Sequence, residues 1–171
     1  MLEKQKKFVD AVVVTGGEPT LHRELPTFME KLHEKGFTIK LDTNGFFPQI
    51  LKECLPFASY IALDVKTCKE KYGLLGAKDL SGFLRSVEIL KSSELEYEFR
   101  ATVVPSFVDE EDIPEIGEIV KGGKRFAFQQ FVPDDTLDKK FRDVKIYTRD
   151  TILRFTKLMK QNVDEVLLRV Q

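Results

Sequence analysis

The stretch Val12-Val13-Val14-Thr15-Gly16-Gly17-Glu18-Pro19-Thr20 decides how the rest of the chain is read. It opens as a β-branched run of the kind that a strand buried on both faces requires, then breaks at a Gly-Gly pair followed by a carboxylate and a proline. Paired glycines remove every side chain where a ligand could approach the main chain, and they allow positive φ. Pro19 fixes the chain direction after Glu18. One carboxylate is thereby presented at the C-terminal edge of a strand. Gly-Gly-x-Pro also serves as an ordinary strand-to-helix turn, so the surroundings decide between the two readings.

Working outward, Leu25, Phe28, Met29 and Leu32 recur at helical spacing, with Pro26 suited to a first turn and Gly36 to a stop. Phe37-Thr38-Ile39-Lys40-Leu41 alternates as a second strand and halts at Asp42-Thr43-Asn44-Gly45. A short helical segment carrying Ile50 and Leu51 leads to a third strand, Tyr60-Ile61-Ala62-Leu63, which stops at Asp64-Val65-Lys66. Asp79 is placed to cap a helix bearing Leu80, Phe83, Leu84, Val87 and Leu90, and Tyr97 to Val104 forms a fourth strand with Arg100 inside it. Asp109 begins an acid-rich first turn before Ile113, Ile116, Ile119 and Val120. Arg125 to Phe131 is a fifth strand, Val132 to Ile146 a polar surface loop, and Thr148 a cap for a helix with Ile152, Phe155 and Met159. Glu165 to Val170 closes the chain as a strand. Strands alternating with amphipathic helices predict an α/β fold with a parallel sheet and right-handed crossovers, whose functional residues collect at the strands' carboxyl ends.

Composition bounds the function. The 171 residues suit one soluble domain, with 42% hydrophobic and 32% charged residues. A net charge of -1 without an arginine-rich run gives no footprint for nucleic acid. No apolar run is long enough to span a bilayer, and Met1 to Lys7 lacks the apolar stretch of a signal peptide, so a cytoplasmic protein is expected. The two cysteines, Cys54 and Cys68, read as buried small hydrophobes, and His22 and His33 as residues on or near the first helix rather than ligands.

Four ordered segments now carry a resemblance: Thr15-Gly16-Gly17-Glu18-Pro19-Thr20, Leu41-Asp42-Thr43-Asn44-Gly45, Ala62-Leu63-Asp64-Val65-Lys66 and Arg100-Ala101-Thr102-Val103-Val104-Pro105. Together they resemble the radical S-adenosylmethionine activating enzymes, most closely the activating proteins of anaerobic ribonucleotide reductase, with pyruvate formate-lyase activating enzymes next. Phe128-Gln129-Gln130-Phe131-Val132-Pro133 and Thr136-Leu137-Asp138 favour the ribonucleotide reductase branch. The resemblance implies a partial (β/α)6 barrel binding S-adenosylmethionine across its open top, residues 1–171 being a single domain whose first βα unit would precede Met1.

On that resemblance, the backbone around Gly16, Gly17, Glu18 and Pro19 receives the methionyl amino group, and Glu18 accepts hydrogen bonds or supplies the opposing charge. Thr43 and Asn44 join this set. Lys66 and Arg100 face the carboxylate or ribose side, where cationic donors gain from charge assistance, and Gln130 is a candidate adenosine contact. Asp42, Thr43 and Asp64 match positions that hold a monovalent cation. Local readings stay open beside these: Asp42 with Asn44-Gly45 as a turn, Asp64 paired with Lys66, and Arg100 as a core arginine bridging to a carboxylate. The implied partners are a glycyl radical enzyme, anaerobic ribonucleotide reductase first, and an electron donor such as flavodoxin or ferredoxin. The family's chemistry rests on a 4Fe–4S cluster held by a CxxxCxxC loop. Reductive cleavage of S-adenosylmethionine there gives a 5′-deoxyadenosyl radical that takes hydrogen from a glycine of the partner. This chain carries no such motif, and Cys54 and Cys68 cannot supply three thiolates. The expectation is therefore either the larger part of an activase or a cluster-free S-adenosylmethionine-binding or regulatory protein, with no catalytic residue assigned.

Overall fold

The computed structural model describes residues 8–133, 136 and 138–170. The helix-forming mixture from Leu2 to Val9, which predicts the tail of a helix, lies outside these apart from Phe8 and Val9, which are not helical; Asp134, Asp135 and Leu137 of the polar loop also lie outside. Six strands alternate with helices, and each strand runs parallel to the partner given for it. The chain thus has the α/β architecture of a partial (β/α)6 barrel. Its packing resolves into two compact units.

The first unit comprises residues up to Asp64 together with Asp79–Tyr97. Its strands β1 (Ala11–Val14), β2 (Thr38–Thr43) and β3 (Tyr60–Asp64) lie side by side in chain order. The helices are α1 (Leu25–Glu34), α2 (Pro48–Cys54) and α3 (Ser81–Lys91). Leu25, Met29 and Leu32 of α1 and Phe83, Val87 and Leu90 of α3 are buried, as their spacing predicts, while Phe28 of the same apolar set is 47% exposed. Asp79 accepts from the Ser81 N–H at 2.9 Å and opens α3.

Burial corrects the reading of β1. In β2 the apolar Ile39 and Leu41 are fully buried and alternate with half-exposed Lys40 and Asp42. In register with them, Val12 and Val14 are half-buried, but Val13, opposite Lys40, is 53% exposed. The strand enclosed on both faces is β3, whose Ile61, Ala62 and Leu63 are all buried. A β-branched run fits a pleated surface whether one or both faces are covered, so the triple valine did not discriminate.

The second unit comprises Val65–Lys78 together with residues from Glu98 onward. Strand β4 (Glu96–Val103), β5 (Gly123–Gln130) and β6 (Val163–Arg169) pair in chain order. Helix α4 (Ile113–Val120) and α5 (Arg149–Met159) alternate with them. An aromatic run fills this core, with Phe126, Phe128 and Phe155 in successive ring contact at 4.8 and 6.1 Å. Thr148 caps α5 by accepting from the Thr151 N–H. The fully buried Glu98 receives two bonds from Arg169, at 2.8 and 2.6 Å. A 3-10 stretch over Lys69–Leu75 was not anticipated from sequence. Among the described residues, no helix is long and apolar enough to cross a membrane.

Candidate functional site

The loop after β1 is built around one carboxylate. Gly16 has φ +136, a conformation that L side chains rarely adopt, and Glu18 then N-caps a 3-10 turn over Pro19–Leu21. Glu18 Oε1 accepts from the Thr20 main-chain N–H at 3.0 Å, from the Thr20 hydroxyl, and from the Thr43 hydroxyl at 2.7 Å. Its Oε2 accepts from the Asn44 main-chain N–H at 2.7 Å. The ends of β1 and β2 are thereby tied through a single side chain. Every one of these donors is neutral.

The second loop is equally specified. Asn44 accepts the Phe46 N–H on its own side chain at 3.0 Å, an Asx turn, and Thr43 Oγ1 accepts from the Gly45 N–H at 3.1 Å. Gly45 has φ +78, and a Cβ there would stand 2.9 Å from Leu63, so both conformation and space require glycine. Gly17 is different. Its φ lies outside the left-handed region, and a Cβ built on it meets nothing within 4 Å. Among the described residues, no steric neighbour accounts for glycine at this position. Gly17 and Glu18 line a cleft of about 580 Å³ walled by Thr15, Val14, Leu21 and Phe28, within the size range of small-molecule sites.

The sequence-derived candidates fall into two groups. Gly16, Gly17, Glu18, Pro19, Thr43 and Asn44 are gathered in the first unit. Asp42, on the neighbouring strand, lies 3.0 Å from Lys40 Nζ, and Asp64 ends β3 half-buried. Lys66, Arg100 and Gln130 belong to the second unit. Lys66 is exposed, with its main-chain N–H donating to the Tyr72 hydroxyl; Arg100 is half-buried and its carbonyl accepts from Val65. Gln130 donates its side-chain amide to the Tyr147 carbonyl at 3.0 Å. Sequence reasoning missed Thr20, whose Ser/Thr side chain two residues beyond an acidic cap is the signal that could have found it.

The second unit holds a carboxylate network of its own. Lys71 Nζ meets Asp109 at 3.1 Å and Asp112 at 2.6 Å, while Asp109 also accepts from the Tyr147 hydroxyl and from the Ser106 N–H. Asp109 N–H donates in turn to Asp112, closing the capping box ahead of α4. Burial pushes the Asp109 carboxyl up, but the bonds from Tyr147 and Ser106 and the Lys71 ammonium outweigh it, leaving its pKa below the ordinary value. Burial and the Asp109 bond push the Tyr147 hydroxyl up.

The cysteines behave as expected for packing residues. Cys54 is fully buried, and burial pushes its thiol up to about 12. Cys68 is also buried, which raises its pKa, and its thiol donates to Asp112 at 3.3 Å. Cys68, Glu70 and Glu115 bring ligand-type atoms within 4.8 Å of one another, and a hydrogen bond between the two carboxyls raises the Glu115 pKa and lowers that of Glu70. No cluster of three thiolates exists in the sequence, so the residues present do not fit a 4Fe–4S cluster.

Comparison with known proteins adds four findings. Residues 1–120 match the family model described as the Radical SAM superfamily. A Methanocaldococcus jannaschii protein described as a glycyl-radical enzyme activating enzyme is 33% identical over 171 residues, covering 95% of this chain and 71% of that protein. A 7-carboxy-7-deazaguanine synthase of Thermococcus kodakarensis is 26% identical over 140 residues, covering 79% of this chain and 53% of the synthase. Among solved structures, a domain of pyruvate-formate lyase-activating enzyme from Bacteroides vulgatus superposes with a TM-score of 0.73 at 14% identity, covering 94% of this chain and 99% of that domain.

Proposed function

Because the chain belongs to the radical SAM superfamily, we propose that it is the larger part of a glycyl-radical enzyme activating enzyme and binds S-adenosylmethionine on the main chain at Gly16, Gly17, Glu18 and Pro19. The observation that carries this reading is Gly17, a glycine without a steric reason among the described residues, standing on the wall of a cleft beside a carboxylate whose bonded donors there are all neutral. Main-chain carbonyls accept from the α-ammonium group, and the Glu18 charge favours a cation nearby without having to touch it. Lys66 and Arg100 are the cationic donors assigned to the carboxylate and ribose, and Gln130 to the adenosine. Asp42 and Asp64 are the candidates for a monovalent cation.

S-adenosylmethionine supplies the carbon radical that the family uses for hydrogen abstraction. The residues of this chain do the binding and orienting, and no step is placed on a cluster that they cannot ligate. On this reading residues 1–171 form one radical SAM-like domain acting in the cytoplasm. Its partner is a glycyl radical enzyme, with anaerobic ribonucleotide reductase as the specific assignment, and a flavodoxin or ferredoxin is the electron donor. The absence of three cysteines from the chain favours a second reading, a cluster-free S-adenosylmethionine-binding or regulatory protein.

Calorimetric titration of the purified chain with S-adenosylmethionine tests both readings. Gly17→Val should lose about a hundred-fold in affinity or more, because a branched side chain occupies the space of the ligand, with the midpoint of thermal unfolding unchanged. Failure of the unsubstituted chain to bind removes both readings. Supplying a CxxxCxxC segment in trans and looking for glycyl radical formation by electron paramagnetic resonance separates the activase from the binding protein.

A further inference from the structure

The side chains of Thr43 and Thr20 are both committed to Glu18, and this points away from ligand contact for either. Thr43 is 3% exposed and Thr20 1% exposed, so neither opens to the cleft. The single hydroxyl hydrogen of Thr43 goes to Glu18 Oε1 at 2.7 Å, one lone pair accepts from the Gly45 N–H at 3.1 Å, and the Thr20 hydroxyl lies 3.3 Å away. The Thr20 hydrogen goes to Glu18 as well, so neither hydroxyl has a hydrogen for the other, and the second lone pair of Thr43 is kept from solvent by burial rather than by a donor. A cation drawing on the Thr43 hydroxyl would have to reach a side chain that is 3% exposed.

We propose that Thr43 and Thr20 are positioning residues for the cleft: they lock the Glu18 carboxylate against the loops after β1 and β2, so that the Gly16-Gly17 main chain is held in one conformation and the Thr43 hydroxyl is not a cation ligand. This rests on the S-adenosylmethionine reading for the identity of the ligand, but not for the ordering itself. The physical reason is that a diglycine segment is among the least constrained of backbones, and a site made from its carbonyls loses affinity unless something else fixes it. Glu18 is the adjoining residue. With both oxygens occupied by donors from Thr20, Thr43 and Asn44, it cannot swing into the cleft, and the peptide planes before it are held with it.

The experiment has two arms on the same set of chains: unsubstituted, Thr43→Ser, Thr43→Val and Thr20→Val. In the first arm, amide hydrogen exchange is read at Gly16, Gly17, Glu18 and Asn44 without ligand. Thr43→Val should speed exchange there by about ten-fold, the loss of one bond to a charged group, and Thr43→Ser should stay near the unsubstituted rate because it keeps the hydroxyl. Equal exchange in all four chains overturns the proposal. In the second arm, S-adenosylmethionine is titrated in potassium, sodium and choline chloride at one ionic strength. Affinity should fall about ten-fold for Thr43→Val and Thr20→Val and return with Thr43→Ser, and any dependence on the cation should be the same in Thr43→Val as in the unsubstituted chain. An affinity that needs potassium or sodium, with that need abolished by Thr43→Val, makes Thr43 a cation ligand and overturns the proposal. If the unsubstituted chain does not bind while the exchange pattern holds, the ligand assignment fails and the ordering role stands.

Discussion

Glu18 in the first unit and Asp109 in the second do similar work with opposite results. Each is an acidic cap standing after a strand, and each draws donors from more than one loop. Asp109 is answered by Lys71, an ammonium shared with Asp112, and by a tyrosine hydroxyl, so a cation of the fold itself faces it. Glu18 receives only neutral N–H and O–H donors, and its negative charge remains for whatever enters the cleft beside it. The backbones beside the two carboxylates differ in the same sense. Gly16 and Gly17 leave the main chain bare, whereas Ser106 holds φ +73 with a side chain attached and its N–H turned onto Asp109. One carboxylate is organised to leave a ligand surface, the other to close a joint.

The largest effect expected from this contrast is on stability in the second unit. Asp109→Ala leaves Lys71 with Asp112 as its remaining partner and takes the acceptor from Tyr147, and should cost about 2–3 kcal/mol, since bonds to a charged group are lost and a cation loses one of two partners. That corresponds to a fall in melting temperature of about 5–10 °C. S-adenosylmethionine affinity of the surviving folded protein should be unaltered; a variant that melts normally but binds poorly would break the comparison. Next, Glu18→Gln should cost about 1–2 kcal/mol in stability, because each carboxylate oxygen accepts a main-chain N–H, from Thr20 or from Asn44, and the new amide must turn its NH2 onto one of them. Its S-adenosylmethionine affinity should drop about ten-fold, and that loss should shrink at high salt, where the charge it removes is already screened. Titrations at two ionic strengths read this directly.

The pH dependence sharpens the contrast further. A folded pKa below the ordinary value means that the Asp109 carboxylate stabilises the fold fully above the ordinary carboxylate range, at about 4, and loses that contribution as pH falls through the lowered value. The gap in melting temperature between the unsubstituted protein and Asp109→Asn should therefore be constant near neutrality and close on acidification. A gap that widens at low pH would show that Asp109 is not held ionised by its partners. The smallest effect is at Ser106. Replacing it by glycine relieves a left-handed conformation and should stabilise by about 0.5 kcal/mol, the strain released being partly offset by the greater freedom of glycine in the unfolded chain.

Much of the architecture was legible because it is periodic. The i, i+3, i+4 recurrence in α1 and α3 and the cap at Thr148 are local patterns that lie where the spacing put them, whereas the N-cap of α3 is Leu80, with Asp79 one residue before it accepting from the Ser81 N–H. The polar clusters at strand ends were legible for the same reason. What was not legible was which faces are covered. Val13 and Ile61 read alike as strand residues, yet one is 53% exposed and the other buried, because burial depends on what packs across the sheet. Phe28 shared the apolar spacing of Leu25 and Met29 but stands at the cleft. Glu98 and Arg169 are seventy-one residues apart, and nothing local announces their pairing.

The same division holds at the site. By itself the sequence determined that a glycine pair and a carboxylate would stand at the end of a parallel strand, that Asn44-Gly45 would turn the chain after the next one, and that three thiolates for a cluster are not in this chain. These follow from residue types and their spacing, which act over a few positions. Only the tertiary structure decided that Glu18 spends both oxygens on Thr20, Thr43 and Asn44, that the Thr43 hydroxyl is buried with its hydrogen on Glu18, and that Gly17, on the wall of the cleft, has open space with no neighbour to explain it. A hydrogen bond between positions 18 and 43 is set by the register of β1 on β2, and register is fixed by packing the whole sheet against its helices.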